Sequence, residues 1–159
     1  MEFAINLSAE DILHIETVEY LERKIIEYSI GNRLVLEIVE SEGIDSFNEV
    51  NDFITRMKAL GCKIAIDDFG TGYSNFSYLM QLKVDYIKVD GSLIKDIDHN
   101  VNSQIICSTI LNFSSALDML TVAEFVHSEE VLEHVKNMGF DYLQGYHLGE
   151  PAPIHDLLG

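Results

Sequence analysis

The sequence predicts an α/β domain built on about six parallel strands with helices alternating between them. Three observations predict this. Short apolar runs of strand length alternate with longer stretches whose apolar residues recur every three or four positions. The short runs are nearly continuous in apolar character, as in strands of a sheet covered by helices on at least one face. A helix-length stretch separates each run from the next, which lets parallel strands be joined by right-handed crossovers.

The elements follow in order. Phe3–Leu7 is a first strand, and Ser8 caps a helix with Asp11 in capping-box position. Ile12, Ile15, Val18, Leu21 and Ile25 give that helix one apolar face, and Gly31-Asn32 stops it. Arg33–Val39 reads as a buried strand. Ser46 and Glu49 form a second capping box before a stripe of Val50, Phe53, Ile54, Met57 and Leu60, closed by Gly61. Cys62–Ile66 is the third strand, followed by a glycine-rich loop, Asp68-Phe69-Gly70-Thr71-Gly72, and a short helix near Ser74–Met80. Asp85–Val89 is the fourth strand. The stretch Asn102–Leu117 is helical, with Ile105, Ile106, Ile110, Phe113 and Leu117 expected on its inner face. Leu120–Ala123 is the fifth strand. Ser128 caps a helix carrying Val131, Leu132, Val135 and Met138, which Gly139 closes. Tyr142–Gly145 is the sixth strand, and Pro151 and Pro153 mark an irregular tail.

Composition narrows the function. At 159 residues and 47% hydrophobic, the chain is one domain or a piece of one, large enough to hold a core without a disulfide framework. No apolar run reaches the ~18–20 residues of a membrane span, and no signal peptide opens the sequence. Cys62 and Cys107 lie in apolar stretches, which points to a reducing, cytoplasmic setting. Aspartate and glutamate total 27 against 10 lysines and arginines, a net charge of −17. Such a surface repels nucleic-acid polymers and anionic membranes. An anionic substrate would need a cationic mediator, and with so few basic residues a divalent metal is the natural one.

The polar residues cluster by position. Asn6, Glu37, Asp67 with Asp68, Lys88 with Asp90, Glu124 and Gln144 stand near the C-terminal ends of the six strands. In parallel α/β folds those ends converge on one face, where sites are built. Any one polar residue there can simply mark a strand's exit to solvent; carboxylates at four of the six ends call for a neutralising cation. Hard oxygen ligands suit Mg²⁺, Mn²⁺ or Ca²⁺. Asp67-Asp68 is the sharpest element. Adjacent strand residues point to opposite faces, but where the backbone leaves the strand both can reach one site. Such a pair suits phosphodiester hydrolysis by two metals.

Asp67-Asp68-Phe69-Gly70-Thr71-Gly72-Tyr73-Ser74 resembles the DDFGTGYS segment of EAL domains, bacterial cyclic di-GMP phosphodiesterases. The resemblance runs along nearly the whole chain. Asn6-Leu7-Ser8 is similar to the family's NLS, Leu36 to Ser41 to LEITES, and Lys88-Val89-Asp90 to KID; Ala123-Glu124 opens its AEGVE, and Gln144-Gly145-Tyr146 with Pro151 matches QGY…KP. It implies a TIM-like (β/α) barrel and the hydrolysis of cyclic di-GMP to linear pGpG by two-metal catalysis with Mg²⁺ or Mn²⁺. It assigns Asn6, Glu37 and Asp67 to one metal and Asp67, Asp68 and Glu124 to another. Lys88 and Gln144 would attend the attacking water, with Glu124 counted among the catalytic groups. Glu40 would anchor the loop from Asp68 to Ser74, which serves substrate and dimer contacts, and Asp90 would support the site from behind. A homodimer, and sensor or GGDEF domains upstream in a longer parent, are further implications.

The match also breaks in places. The Glu-Ala-Leu segment is absent, so residues 1–159 are expected to be a partial EAL domain, an incomplete barrel lacking its first two strands, with impaired catalysis. The alternative is an inactive module that binds cyclic di-GMP or a protein partner. Phe125 stands at the family's glycine and His127 at its second glutamate, where Phe125 could narrow the site and His127 reads as a solvated residue at a helix start. Glu150 stands where the family often has lysine before Pro151. The remaining histidines (His14, His99, His134, His147, His155) have no ligand spacing and read as surface or loop residues.

Overall fold

The computed structural model describes residues 2–39, 47–71 and 76–153. Its strands are β1 (Phe3–Leu7), β2 (Leu34–Val39), β3 (Lys63–Phe69), β4 (Tyr86–Val89), β5 (Leu120–Ala123) and β6 (Tyr142–Leu143). Its helices are α1 (Ala9–Leu13), α2 (Ile15–Tyr28), α3 (Phe47–Ala59), α4 (Phe76–Leu79), α5 (Gly91–Ile94), α6 (Val101–Ala116) and α7 (Glu129–Met138). The strands form one parallel sheet in the order β1-β2-β3-β4-β5-β6. With neighbours in sequence adjacent in space, right-handed crossovers set the helices on a common face. This is the expected parallel α/β sheet, open rather than closed.

The two faces of the sheet differ. Along β2, Leu34, Leu36 and Ile38 are buried, whereas Val35, Glu37 and Val39 on the opposite face are only half-buried. The core joins that first set to Phe53, Ile54 and Met57 of α3, Ile64 of β3, Ile87 of β4, Cys107 and Ile110 of α6, and Val135 of α7. Among the described residues no helix is long and apolar enough to cross a membrane.

Several boundaries differ from the sequence reading. The first helix is two: His14 takes an extended conformation (φ −86°, ψ 102°) and ends α1 while opening α2. The apolar spacing there is mostly three, which drifts off a 3.6-residue turn, and Ile15 ends up exposed. Ser29, in the left-handed region at φ 52°, closes α2, so Gly31-Asn32 is not its stop. Gly31 opens a 3₁₀ turn over Gly31–Arg33, which takes Arg33 out of the strand. A Cβ on Gly31 would lie 1.8 Å from the Leu60 carbonyl oxygen, so the residue is small because another backbone passes against it. In α6, Ile105 and Ile106 face solvent; the buried stripe is Ser103, Cys107, Ile110 and Ser114. β6 ends at Leu143. Helix α5 has no counterpart among the elements the sequence predicts. The expected Ser46 cap, Glu40 and His155 lie outside the described residues.

Candidate active site

β3 shapes the site. It pairs with β4 through Ile66↔Ile87 and again through Phe69↔Val89, so three steps along β3 oppose two along β4. The extra residue makes a β-bulge at Asp67-Asp68, and Asp68 sits at φ +56°. Aspartate tolerates that left-handed conformation better than most residues. A bulge re-aims side chains that would otherwise alternate, which is how two adjacent carboxylates come to share one face. Both belong to the pairing strand itself, which runs to Phe69, three residues beyond its expected end.

Lys88 of β4 lies at the centre. Its Nζ is 2.9 Å from Glu37 Oε2, 2.8 Å from Asp67 Oδ1 and 3.0 Å from Glu124 Oε1, with 7% of the side chain exposed. Burial alone would pull its pKa down; hydrogen bonds to Asp67, Glu37 and Glu124 outweigh that and hold it above the ordinary lysine value. Burial pushes the Glu124 carboxyl up, and the Lys88 ammonium partly offsets it. Asp68 is likewise raised, first by burial and then by the charges of Asp67 and Asp90.

Asp67, Asp68 and Glu124 each place a carboxylate oxygen within 4.8 Å of the others. Three hard oxygen donors at that spacing could hold a divalent metal ion. Glu37 joins them through Lys88, and Asn6 lies beside Glu37 in register on β1, where it is exposed. Asp90 accepts a hydrogen bond from the Ser92 N–H at 2.8 Å and so caps α5. Gln144 is exposed; its backbone N–H donates to the Ala123 carbonyl at 2.8 Å, which fixes it next to Glu124. Phe69 is fully buried and packs edge-on against Phe76, so it anchors its segment from the core rather than offering a contact surface. Gly70 follows at φ +101°, and the Thr71 hydroxyl donates to the Asp68 carbonyl. Gly72, Tyr73 and Ser74, like Glu40, lie outside the described residues.

A cleft of about 710 Å³ opens beside Glu124, lined in part by Asp90, Phe125, His127, Gln144, Tyr146 and Glu150. Most of these residues carry separate expectations from the sequence that do not join them into one cleft; Gly91 carries none, and Gly145 is expected only as the end of the sixth strand and within the QGY match. A Cβ on Gly145 would come within 2.1 Å of the Val126 carbonyl oxygen. The available signal was the glycine directly following a polar residue at a strand end, at both positions.

An open parallel α/β sheet with an acidic cluster at its strand C-terminal ends defines the class: a domain of the β/α-barrel type, its chemistry on the face where such barrels carry it. Within that class the chain belongs to the EAL domain family, whose model matches residues 1–151. It is 36% identical over 157 residues to the cyclic di-GMP phosphodiesterase PdeF of Escherichia coli (strain K12), covering 98% of this chain and 21% of that protein. It is 33% identical to the bifunctional diguanylate cyclase/cyclic di-GMP phosphodiesterase MucR of Pseudomonas aeruginosa, over 98% of this chain and 23% of MucR. The chain thus spans about a fifth of these relatives. Among solved structures, the PaMucR phosphodiesterase in its c-di-GMP complex matches with a TM-score of 0.91 and 32% identity, covering 98% of this chain and 64% of that one. The calcium/cyclic di-GMP complex of Klebsiella pneumoniae BlrP1 matches with a TM-score of 0.84 and 30% identity, covering 91% of this chain and 37% of that one.

Proposed function

We propose that the chain carries the catalytic face of a cyclic di-GMP phosphodiesterase, releasing linear pGpG. The carrying observation is the convergence of Glu37, Asp67, Asp68 and Glu124 on the strand-end face around the Lys88 ammonium. Asp67, Asp68 and Glu124, with Glu37 and Asn6 alongside, would hold Mg²⁺ or Mn²⁺. Such an ion, when bound, neutralises the clustered carboxylates and polarises the phosphodiester.

The chain's own groups supply the rest. Lys88 Nζ, its three donors on Glu37, Asp67 and Glu124, would set a positive charge beside the attacking water and offset charge developing on the phosphoryl oxygens. The water oxygen bonds to phosphorus as the P–O3′ bond breaks. Glu124 accepts the proton the water loses, and the departing ribose oxygen takes a proton from bulk water. Gln144, beside Glu124, orients the water. Asp90, Gly70 and Thr71 hold the surrounding backbone. The parent would be a longer signalling protein with further domains, and two buried free thiols suit a cytoplasmic setting.

The test is a turnover assay with cyclic di-GMP and Mg²⁺ or Mn²⁺, following pGpG release, on the chain and on Asp67→Asn. Metal-dependent product that Asp67→Asn abolishes supports the reading. Tight cyclic di-GMP binding with no product, in this chain and in a longer one carrying a complete EAL domain, would overturn it in favour of a receptor module.

A further inference from the structure

We propose that Phe125 is a stacking platform for a guanine base of the substrate, placed by this chain's own sequence one residue beyond Glu124. The proposal rests on the cyclic di-GMP reading above and names the group that would recognise the base.

Phe125 holds a backbone conformation an aromatic residue seldom adopts, φ +57°. Its neighbours fix it there. The Glu124 N–H donates to the Val89 carbonyl at 3.2 Å, and the Val126 N–H donates to the Gln144 carbonyl at 3.0 Å. Strain maintained by the surrounding framework gathers at functional sites. This strain does not serve the core, because Phe125 is 57% exposed and lines the cleft.

The geometry around the ring suits a flat ligand. The His127 ring lies 5.3 Å away at 38°, a tilted pair that extends the aromatic surface. Gly91 accommodates Phe125 itself: a Cβ there would stand 2.7 Å from the Phe125 Cβ, so the side chain rests against bare backbone. Tyr146, 70% exposed, also lines the cleft. Base–aromatic stacking is a strong way to hold a nucleotide, and here the stacking surface adjoins the carboxylates that would hold its phosphate. Glu150 at the rim offers an acceptor for the N–H edge of guanine.

The experiment is calorimetric titration with cyclic di-GMP in Ca²⁺, the ion accompanying that nucleotide in the BlrP1 complex. It compares wild type with Phe125→Leu and Phe125→Trp, and titrates each with Ca²⁺ alone to show that the carboxylate cluster is intact. Phe125→Leu should bind the nucleotide about tenfold more weakly. Phe125→Trp should keep wild-type affinity. The chain has no other tryptophan, so the indole fluorescence of that variant should fall as the base stacks, a response that a merely space-filling residue would not give. Wild-type affinity in Phe125→Leu, or an unchanged indole signal on saturation, would overturn stacking while leaving the substrate reading in place. Binding of GMP that depends on Phe125, without binding of cyclic di-GMP, would support stacking and overturn the substrate. Binding of neither nucleotide to wild type would overturn both.

Discussion

An ammonium group with 7% of its side chain exposed persists in charged form because three carboxylates surround it. The dependence is mutual: without Lys88, Glu37, Asp67 and Glu124 face one another uncompensated. Breaking a buried ion pair from one side typically costs about 3–5 kcal/mol. Lys88→Met should therefore lower the melting temperature markedly in EDTA, and Mn²⁺ should recover part of the loss by binding the folded state. Unchanged melting in EDTA would show that the carboxylates relax without their cation. A second residue gives a pH dependence. Burial pushes the Cys107 thiol up to about 12, against about 8.5 in an unfolded chain. Above pH 8.5 the unfolded state releases this proton while the folded state keeps it. The unfolded state then binds fewer protons, so stability falls as pH rises from about 8.5 towards 12. Denaturant titrations at pH 7.5 and 10 should show a smaller decline for Cys107→Ala than for wild type.

Among the elements, α1 shows how a local signal fixes a boundary. The Ser8 hydroxyl accepts from the Asp11 N–H at 3.1 Å, and Asp11 Oδ2 accepts from the Ser8 N–H at 2.9 Å, the reciprocal box read from the sequence. Ser8→Ala should cost about 1 kcal/mol, measured by urea denaturation at neutral pH. The Asp11 carboxyl is lowered by the hydrogen bonds from Ser8. Its contribution is therefore present above the unfolded value near 3.9 and is lost as pH falls below it. The Ser8→Ala gap should narrow in acid, and a gap constant down to pH 3 would contradict the box. Ser128 and Gly139 bound α7 in the same legible way. What the sequence hid were features set by partners. In α6, Ser103, Cys107, Ile110 and Ser114 recur at i, i+4, i+7 and i+11, yet larger residues on the other face drew the assignment. The carboxylates were legible because each stands within or directly after an apolar run of strand length. Their means of convergence was not, because the bulge between Ile66 and Phe69 exists only in the pairing of β3 with β4.

At the scale of the whole molecule, the open sheet sets an expectation about assembly. Among the described residues no strand pairs with the outer edge of β1, and Phe3, Ala4 and Ile5 are exposed along it. An edge strand with apolar side chains and unpaired backbone groups is a template for another strand. The simplest closed arrangement is a twofold dimer, which would set two β1 strands antiparallel across the axis. Opposing it is a charge of −17 on each copy. Repulsion between exposed charges is screened within about 8 Å at physiological ionic strength and within about 3 Å at 1 M salt, while apolar burial is not weakened by that screening. The chain should therefore self-associate more tightly as NaCl rises, opposite to a contact made by ion pairs. Sedimentation velocity at 0.05, 0.15 and ~1 M salt should show a dimer fraction growing with salt and with concentration. Ala4→Pro, which removes a backbone donor, and Ile5→Lys, which sets a charge on the strand, should each return the chain to monomer without altering the site around Lys88. A monomer at high salt and high concentration would show that the β1 edge does not recruit a second copy. Dimers that persist in both variants would place the contact elsewhere.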